Sequence, residues 1–303
     1  MENNYYSEIK NELLNNEVYN RVKDYSKNRN ELSTYYNVGK LLIEAQGGED
    51  RAKYGDSLIK EYSEKLMQEV GRKYNYKTLF KIRKFYSFIE KVSTVSRQLS
   101  WSHYCELLSL NDINEINYYI NTTERYSLSV RELRERIKNK EYQRLDDNTK
   151  LKLINREEMS ISDTIKNPII IKNKLGIDKE NISEKILQRL ILEDIPSFLE
   201  ELGDGYSFIK NEYKIKINNT YNYIDLLLFN IKYNCYVIVE LKVTEVRKEH
   251  IGQIQVYMNY IDKHIKGITN NKTIGIIVAR RDNHYYIEYS SDKRIYTRDY
   301  ELI

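Results

Sequence analysis

The chain has 303 residues, with 49 Lys and Arg against 45 Asp and Glu and a formal charge of +4. That length holds two domains of ordinary size, and the near-balanced charge excludes a polycation, so any affinity for nucleic acid has to come from local patches. Mean hydropathy is −0.69 and no apolar run approaches the length of a bilayer span, which excludes a helical membrane protein.

The first residues, MENNYYSEIKNELL, lack the basic-then-apolar layout of a signal peptide, so a cytoplasmic location is expected. Cys105 and Cys235 each sit in an apolar pattern and read as buried free thiols rather than a disulfide or a zinc site. His103, His250, His264 and His284 show no ligand spacing. Tyrosine occurs 29 times. Exposed copies could stack on unpaired bases, but many fall at helical core spacing, and with abundant Asn, Lys and Ile they fit a compositional drift of the source genome.

Residues 5 to 45 carry Ile9, Leu13, Val18, Val22 and Tyr25, then Leu32, Tyr35, Val38 and Leu42, at three- and four-residue steps. This predicts helix up to the stop at Gln46-Gly47-Gly48. Another helix is predicted from Asp56 to Glu69. Between Arg72 and Lys84 there are six basic residues and no acidic one. Leu79, Ile82, Tyr86 and Ile89 line one stripe of a following helix, while Lys77, Lys81 and Lys84 share another face. Helix, turn at Gly71 and basic helix form the outline of a helix-turn-helix, whose second helix enters the major groove. On that reading Lys77, Lys81, Arg83 and Lys84 touch nucleic acid. The alternative is a solvated lysine face on a packing helix.

Leu99 to Asn111 holds the only tryptophan, with Ser102 as the expected N-cap and Trp101, Cys105 and Leu108 inward. Trp101 and His103 read as packing residues. A helix from Ile113 to Thr122 follows, and then a helix opened by the capping-box pair Ser129 and Glu132. Residues 1–145 therefore read as a helical domain. Gln143 to Asp163 is polar and aperiodic, and residues 146–180 read as a linker and lead-in to a second domain at 181–303.

In that second domain a single helix is expected from Ser183 to Leu202, with Leu187, Leu190, Ile191, Ile195 and Leu199 inward. Gly203-Asp204-Gly205 turns into a strand, Tyr206 to Ile217, that displays Lys210, Lys214 and Lys216. Tyr221–Phe229 and Cys235–Val243, separated by Asn230 to Asn234, predict a β-hairpin. A helix from Glu245 to Asp262 bears Gln253 and Tyr257, and a buried strand runs from Lys272 to Ala279. Tyr285 to Tyr289 and Arg294 to Thr297 are expected to finish the sheet.

The hairpin carries the chemistry. In YVIVELKV, Glu240 and Lys242 point to one face of a strand buried on both sides, while Val239 and Leu241 point to the other. Charges so placed cost several kcal/mol each unless paired or engaged with a cation. Asp225, inside IDLLLF, has the same problem. Two carboxylates on adjacent strands can converge as oxygen ligands for Mg²⁺ or Mn²⁺, and a lysine beside them can orient water or offset transition-state charge. A purely structural ion pair is the alternative for Glu240 and Lys242.

The spacing of Asp225 from Glu240-Leu241-Lys242 resembles the PD-(D/E)xK nuclease core. The longer segments YIDLLLFN, CYVIVELKV and KEHIGQIQVYMNYID, with GKLLIEAQ, LSWSHY and SVRELRERI in the first half, are similar to the YhcG-like family of PD-(D/E)xK nuclease domain-containing proteins. Asn222 and Tyr223 precede Ile224, so the proline of the fold's name is missing. The resemblance implies a helical N-terminal domain of winged-helix or helix-turn-helix type and a restriction-endonuclease-like αβββαβ core. It implies Asp225 and Glu240 as metal ligands, with Lys242 and Gln253 completing the catalytic set. The first nuclease helix would lend a further acidic residue, Glu184, although Gln188 stands where relatives often have Glu. The expected partner is nucleic acid, DNA rather than RNA, and a homodimer suits an enzyme that cuts both strands. The runner-up function is a nucleic-acid-binding or assembly protein that keeps the scaffold with little activity alone.

Overall fold

A computed structural model describes residues 4–21, 27–48, 56–92, 96, 98–177, 181–281 and 292–303. The chain divides into two compact units, Met1–Tyr142 and Gln143–Ile303. No described helix is long and apolar enough to cross a membrane.

The first unit is helical: α1 (Tyr5–Arg21), α2 (Lys27–Ala45), α3 (Asp56–Glu69), α4 (Tyr76–Val92), α5 (Trp101–Leu107), α6 (Ile113–Tyr126) and α7 (Val130–Lys138). The expected stripe residues Val22 and Tyr25 lie outside the described residues. Among the described residues this unit contains no strand. Ile9, Leu13, Leu32, Tyr35, Val38 and Leu42 are buried, as their spacing requires. α2 and α4 cross at Gly39, where an added Cβ would lie 2.6 Å from the Ile82 carbonyl oxygen and 2.8 Å from Tyr86 Cβ. Trp101 packs edge-on against Tyr35 and Phe85, with ring centroids 4.7 and 5.4 Å away. α5 is capped by Ser100 rather than Ser102, because His103 Nδ1 takes the Ser100 backbone N–H at 3.0 Å. The Ser129–Glu132 capping box forms as expected.

The second unit is built on a six-stranded sheet in the order β1-β6-β5-β4-β3-β2. Its strands are β1 (Ile169–Ile171), β2 (Tyr206–Ile217), β3 (Thr220–Asn230), β4 (Cys235–Glu245), β5 (Ile274–Arg281) and β6 (Ile295–Leu302). β2, β3 and β4 are antiparallel; β4, β5, β6 and β1 run parallel. Of the two terminal strand segments expected, Tyr285 to Tyr289 lies outside the described residues. One face of the sheet, with Leu226, Leu228, Val239 and Leu241, packs on helices α9 (Glu184–Glu193) and α10 (Ile195–Leu202). The other, with Leu227, Ile238 and Ile277, packs on α11 (Lys248–His264) through Ile254 and Met258. β4 is therefore buried on both faces, and a charged side chain on it enters an apolar interior.

Two expectations are corrected. The helix predicted over Ser183 to Leu202 breaks at Asp194, which ends α9 and caps α10 by accepting from Ser197 N at 3.4 Å. Pro196, in the first turn of α10, explains the break: it has no N–H to give the preceding turn and its ring clashes there. The described part of residues 146–180, read as a linker and lead-in, is folded into the second unit. It includes a helix, α8 (Asp147–Asn155), and β1, which extends the sheet beside β6. Lys152 pairs with buried Asp163 at 2.7 Å, and Tyr233 Oη donates to the Met159 carbonyl at 2.6 Å. The polar composition of this stretch hid those long-range bonds.

Candidate active site

β3 follows β4 only from Asn230 to Leu226, which faces Val239; beyond that point β3 keeps β2 as its partner and leaves β4. The parting strips Leu241 N–H of a strand acceptor, and the Asp225 carboxylate replaces it, with Oδ2 accepting at 2.8 Å. Asp225 is thus pinned against β4 by the bond its own strand gave up. Its main-chain carbonyl is held from the other side by Gln188 Nε2 on α9 at 3.1 Å.

Glu240 is almost wholly buried, and its Oε1 has no hydrogen-bond partner. Its Oε2 lies 3.7 Å from Lys242 Nζ, which is also 3.5 Å from Glu184 Oε2. Both separations exceed a direct hydrogen bond, so the ammonium stands between two carboxylates without being closed onto either. Glu184 opens α9 behind its cap Ser183, and Gln188 follows one turn later on the same helix face. One helix thereby sets both Lys242 and Asp225.

Burial, then the neighbouring Asp225 charge, pushes the Glu240 carboxyl up to about 8. Burial also raises Asp225 above the usual carboxylate range, against the opposing pull of Leu241 N–H and Lys242. Glu212, on β2 in a left-handed conformation at φ 47°, adds negative charge near Asp225. Several carboxylates facing one ammonium, with one buried oxygen unsatisfied, make a site short of positive charge. Among the described residues no three His, Cys, Asp or Glu side chains group closely enough to hold a metal by themselves. Mg²⁺ commonly takes one or two carboxylates and completes its shell with water and substrate phosphate. The Asp225–Glu240 pair fits that demand.

The sequence-predicted set is only partly assembled. Asp225, Glu240, Lys242 and Glu184 meet, whereas Gln253 donates to Tyr257 Oη at 3.0 Å on α11, where Tyr257 feels the Glu240 and Asp225 charges. Gln188 is the member that residue-type reasoning passed over as a lost Glu; its four-residue step from Glu184 was the available signal. His250, half-buried at the start of α11, also belongs to this neighbourhood: burial, then Lys242, lowers its pKa. Nothing in its sequence spacing marked it.

In the first unit, Lys77 and Lys81 are exposed on α4. Arg83 instead reaches Gln46 at 3.3 Å and lies over the Phe80 ring, and Lys84, though exposed, donates to the Leu108 carbonyl. The four predicted residues therefore differ: two of them bond within the unit.

Residues 162–302 match the YhcG PDDEXK nuclease domain, and residues 15–144 match the DUF1016 N-terminal domain. A curated relative from Escherichia coli (strain K12), named "Putative nuclease YhcG", is 28% identical over 286 residues, covering 82% of this chain and 76% of its own length. Two solved structures align at lower similarity. A repair endonuclease from Pyrococcus abyssi has 20% identity and a TM-score of 0.30, over 41% of this chain and 49% of that one. The EndoMS–dsDNA2 complex has 18% identity and a TM-score of 0.31, over 42% and 46%. The chain thus spans about half the length of each of these solved structures. Residues 162–302 are thus a YhcG PDDEXK nuclease domain, and a helical domain precedes it. With both domain models matched along most of its length, the chain belongs to the YhcG-like family of PD-(D/E)xK nuclease domain-containing proteins.

Proposed function

We propose that this chain is a divalent-metal-dependent nuclease that hydrolyses phosphodiester bonds, with DNA as its substrate. One observation carries the reading: Asp225, Glu240 and Lys242 meet where β3 parts from β4, and a Glu240 oxygen is buried there without a partner. Asp225 and Glu240 would hold Mg²⁺ or Mn²⁺. Bound there, the ion would supply polarisation of water and charge neutralisation at the phosphate.

The chain's own residues do the rest. Lys242 orients the attacking water and offsets charge that builds on the phosphoryl oxygens. Glu184 aims the Lys242 ammonium, and Gln188 fixes the backbone of Asp225. Gln253, braced by Tyr257, presents its amide to water or to the scissile phosphate. Lys77 and Lys81 add phosphate contacts from the helical unit, which raise affinity without reading sequence. The enzyme acts in the cytoplasm, as a homodimer where both strands are cut.

The test is cleavage of labelled DNA and RNA by the purified chain with Mg²⁺, beside Asp225→Ala and Lys242→Ala. Cleavage by the wild type and a loss of roughly a hundredfold or more in each variant is expected. Equal cleavage by all three ends the reading. A second reading, a nucleic-acid-binding protein with little activity alone, draws on Lys242 standing between Glu240 and Glu184 as in a structural ion network. Tight DNA binding without Mg²⁺-dependent cleavage would favour it.

A further inference from the structure

Half of the β2–β3 hairpin extends past the rest of the sheet. Tyr213–Ile217 pair with Thr220–Ile224, while β4 meets β3 only from Leu226 onward. The inner face of this two-stranded ribbon is anchored: Ile215 and Ile224 are buried in the α11-side core, with Tyr213 and Ile217 packed against it. The outer face is built differently. Lys214 stands opposite Tyr223 and Lys216 opposite Tyr221, so the four side chains share that face. Tyr221 is 52% exposed and Tyr223 53%. Lys214 Nζ lies 3.7 Å from the Tyr221 ring centroid and Lys216 Nζ 5.9 Å from it.

Among the described residues this face takes no part in the core. Two half-exposed rings interleaved with lysines combine a π surface for bases with charge for phosphates. The ribbon also begins at the site itself: at the rise of a strand, Tyr223 and Tyr221 lie roughly 7 and 13 Å along the chain from Asp225. A duplex keeps its base faces stacked inside, so rings placed this way suit an unpaired strand.

We propose that the outer face of the β2–β3 ribbon binds an unpaired strand next to the scissile phosphate, Tyr221 and Tyr223 stacking on bases and Lys214 and Lys216 holding phosphates. The preferred substrate is then DNA with a single-stranded segment, such as an end, flap or gap, rather than uninterrupted duplex. The proposal rests on the nuclease reading for the position of the phosphate, but its test does not need cleavage.

The full chain is titrated in EDTA against a fluorescent single-stranded oligonucleotide and against the corresponding duplex, with anisotropy as the readout. Tyr221→Val and Tyr223→Val keep a strand-forming residue and remove the ring. Each is expected to weaken single-strand binding roughly tenfold and leave duplex binding within about twofold. Lys214→Ala and Lys216→Ala should each reduce the salt slope of single-strand binding by about 0.7. Thermal melts check that the variants remain folded. Unchanged single-strand affinity in both tyrosine variants overturns the proposal. So does equal loss on duplex, which would make the ribbon a groove reader, and so does a wild type that binds no single strand. Single-strand binding through the ribbon with no Mg²⁺-dependent cleavage would remove the nuclease reading and leave this surface standing. Normal cleavage with indifferent tyrosine variants would do the reverse.

Discussion

Gln188 Nε2 donates to the main-chain carbonyl of Asp225 at 3.1 Å, across the interface between α9 and the strand that carries the acidic residue. Because Gln188 is buried, replacing it with Leu removes that hydrogen bond, at a cost of about 0.5 to 1.5 kcal/mol. It also frees Asp225 to shift, and a displacement near 1 Å can cost on the order of a hundredfold in rate. Gln188→Leu should therefore lower Tm and lower kcat while KM changes little. A lowered Tm with wild-type kcat would reduce Gln188 to a packing residue.

Glu240 makes stability depend on pH in a definite direction. Its carboxyl is pushed up to about 8 in the fold, above the ordinary value of 4.5, so the folded chain holds this proton over a range where the unfolded chain has lost it. The stabilising contribution is complete below pH 4.5 and disappears as pH rises through about 8. Asp225, also raised, acts in the same sense. In EDTA, denaturant melts should show stability falling between those limits. Glu240→Gln should flatten the curve and gain most at the alkaline end. A wild-type chain that grows more stable from pH 5 to pH 8 through these residues would contradict the burial argument.

Much of this site was legible because its residues break a pattern. Asp225, Glu240 and Lys242 interrupt runs that otherwise read as buried strand, and a buried charge demands a partner wherever the strands lie. The hairpin ends follow from the same alternation and from the turn residues between them. What stayed hidden depends on bonds between distant positions. Ser100 replaces Ser102 as a cap because His103 folds back on it. Arg83 and Lys84 look like Lys77 and Lys81 in sequence, yet Gln46 and the Leu108 carbonyl engage the first two. No helical wheel contains those acceptors.

Gly39 offers a test of the helical unit. An added methyl at this crossing would meet the Ile82 carbonyl oxygen at 2.6 Å and Tyr86 Cβ at 2.8 Å, so backbone as well as side chain would have to yield. Overpacking of this kind costs about 1 to 3 kcal/mol, even though alanine is the better helix former. The only tryptophan, Trp101, packs on Tyr35 of α2 and Phe85 of α4 and reports this region directly. In urea melts followed by its fluorescence, Gly39→Ala should shift the midpoint downward. A midpoint at or above wild type would show that α2 and α4 separate easily.

The segment before the nuclease helices gives the last prediction. Arg144 forms a buried pair with Glu201 and donates to the Pro168 carbonyl at 2.8 Å, while Glu201 Oε2 accepts from Ile170 N at 2.9 Å. Deleting residues up to 180 removes β1, uncovers the edge of β6 and leaves Glu201 without either partner. Breaking a buried ion pair from one side alone costs about 3 to 5 kcal/mol, a large part of a domain's stability. An exposed sheet edge adds a route to aggregation. A chain of residues 143–303 is therefore expected to be soluble and to unfold in one cooperative urea transition. A chain of residues 181–303 should aggregate or lack that transition. Equal midpoints for the two would mean that this stretch is the dispensable tether its composition suggests.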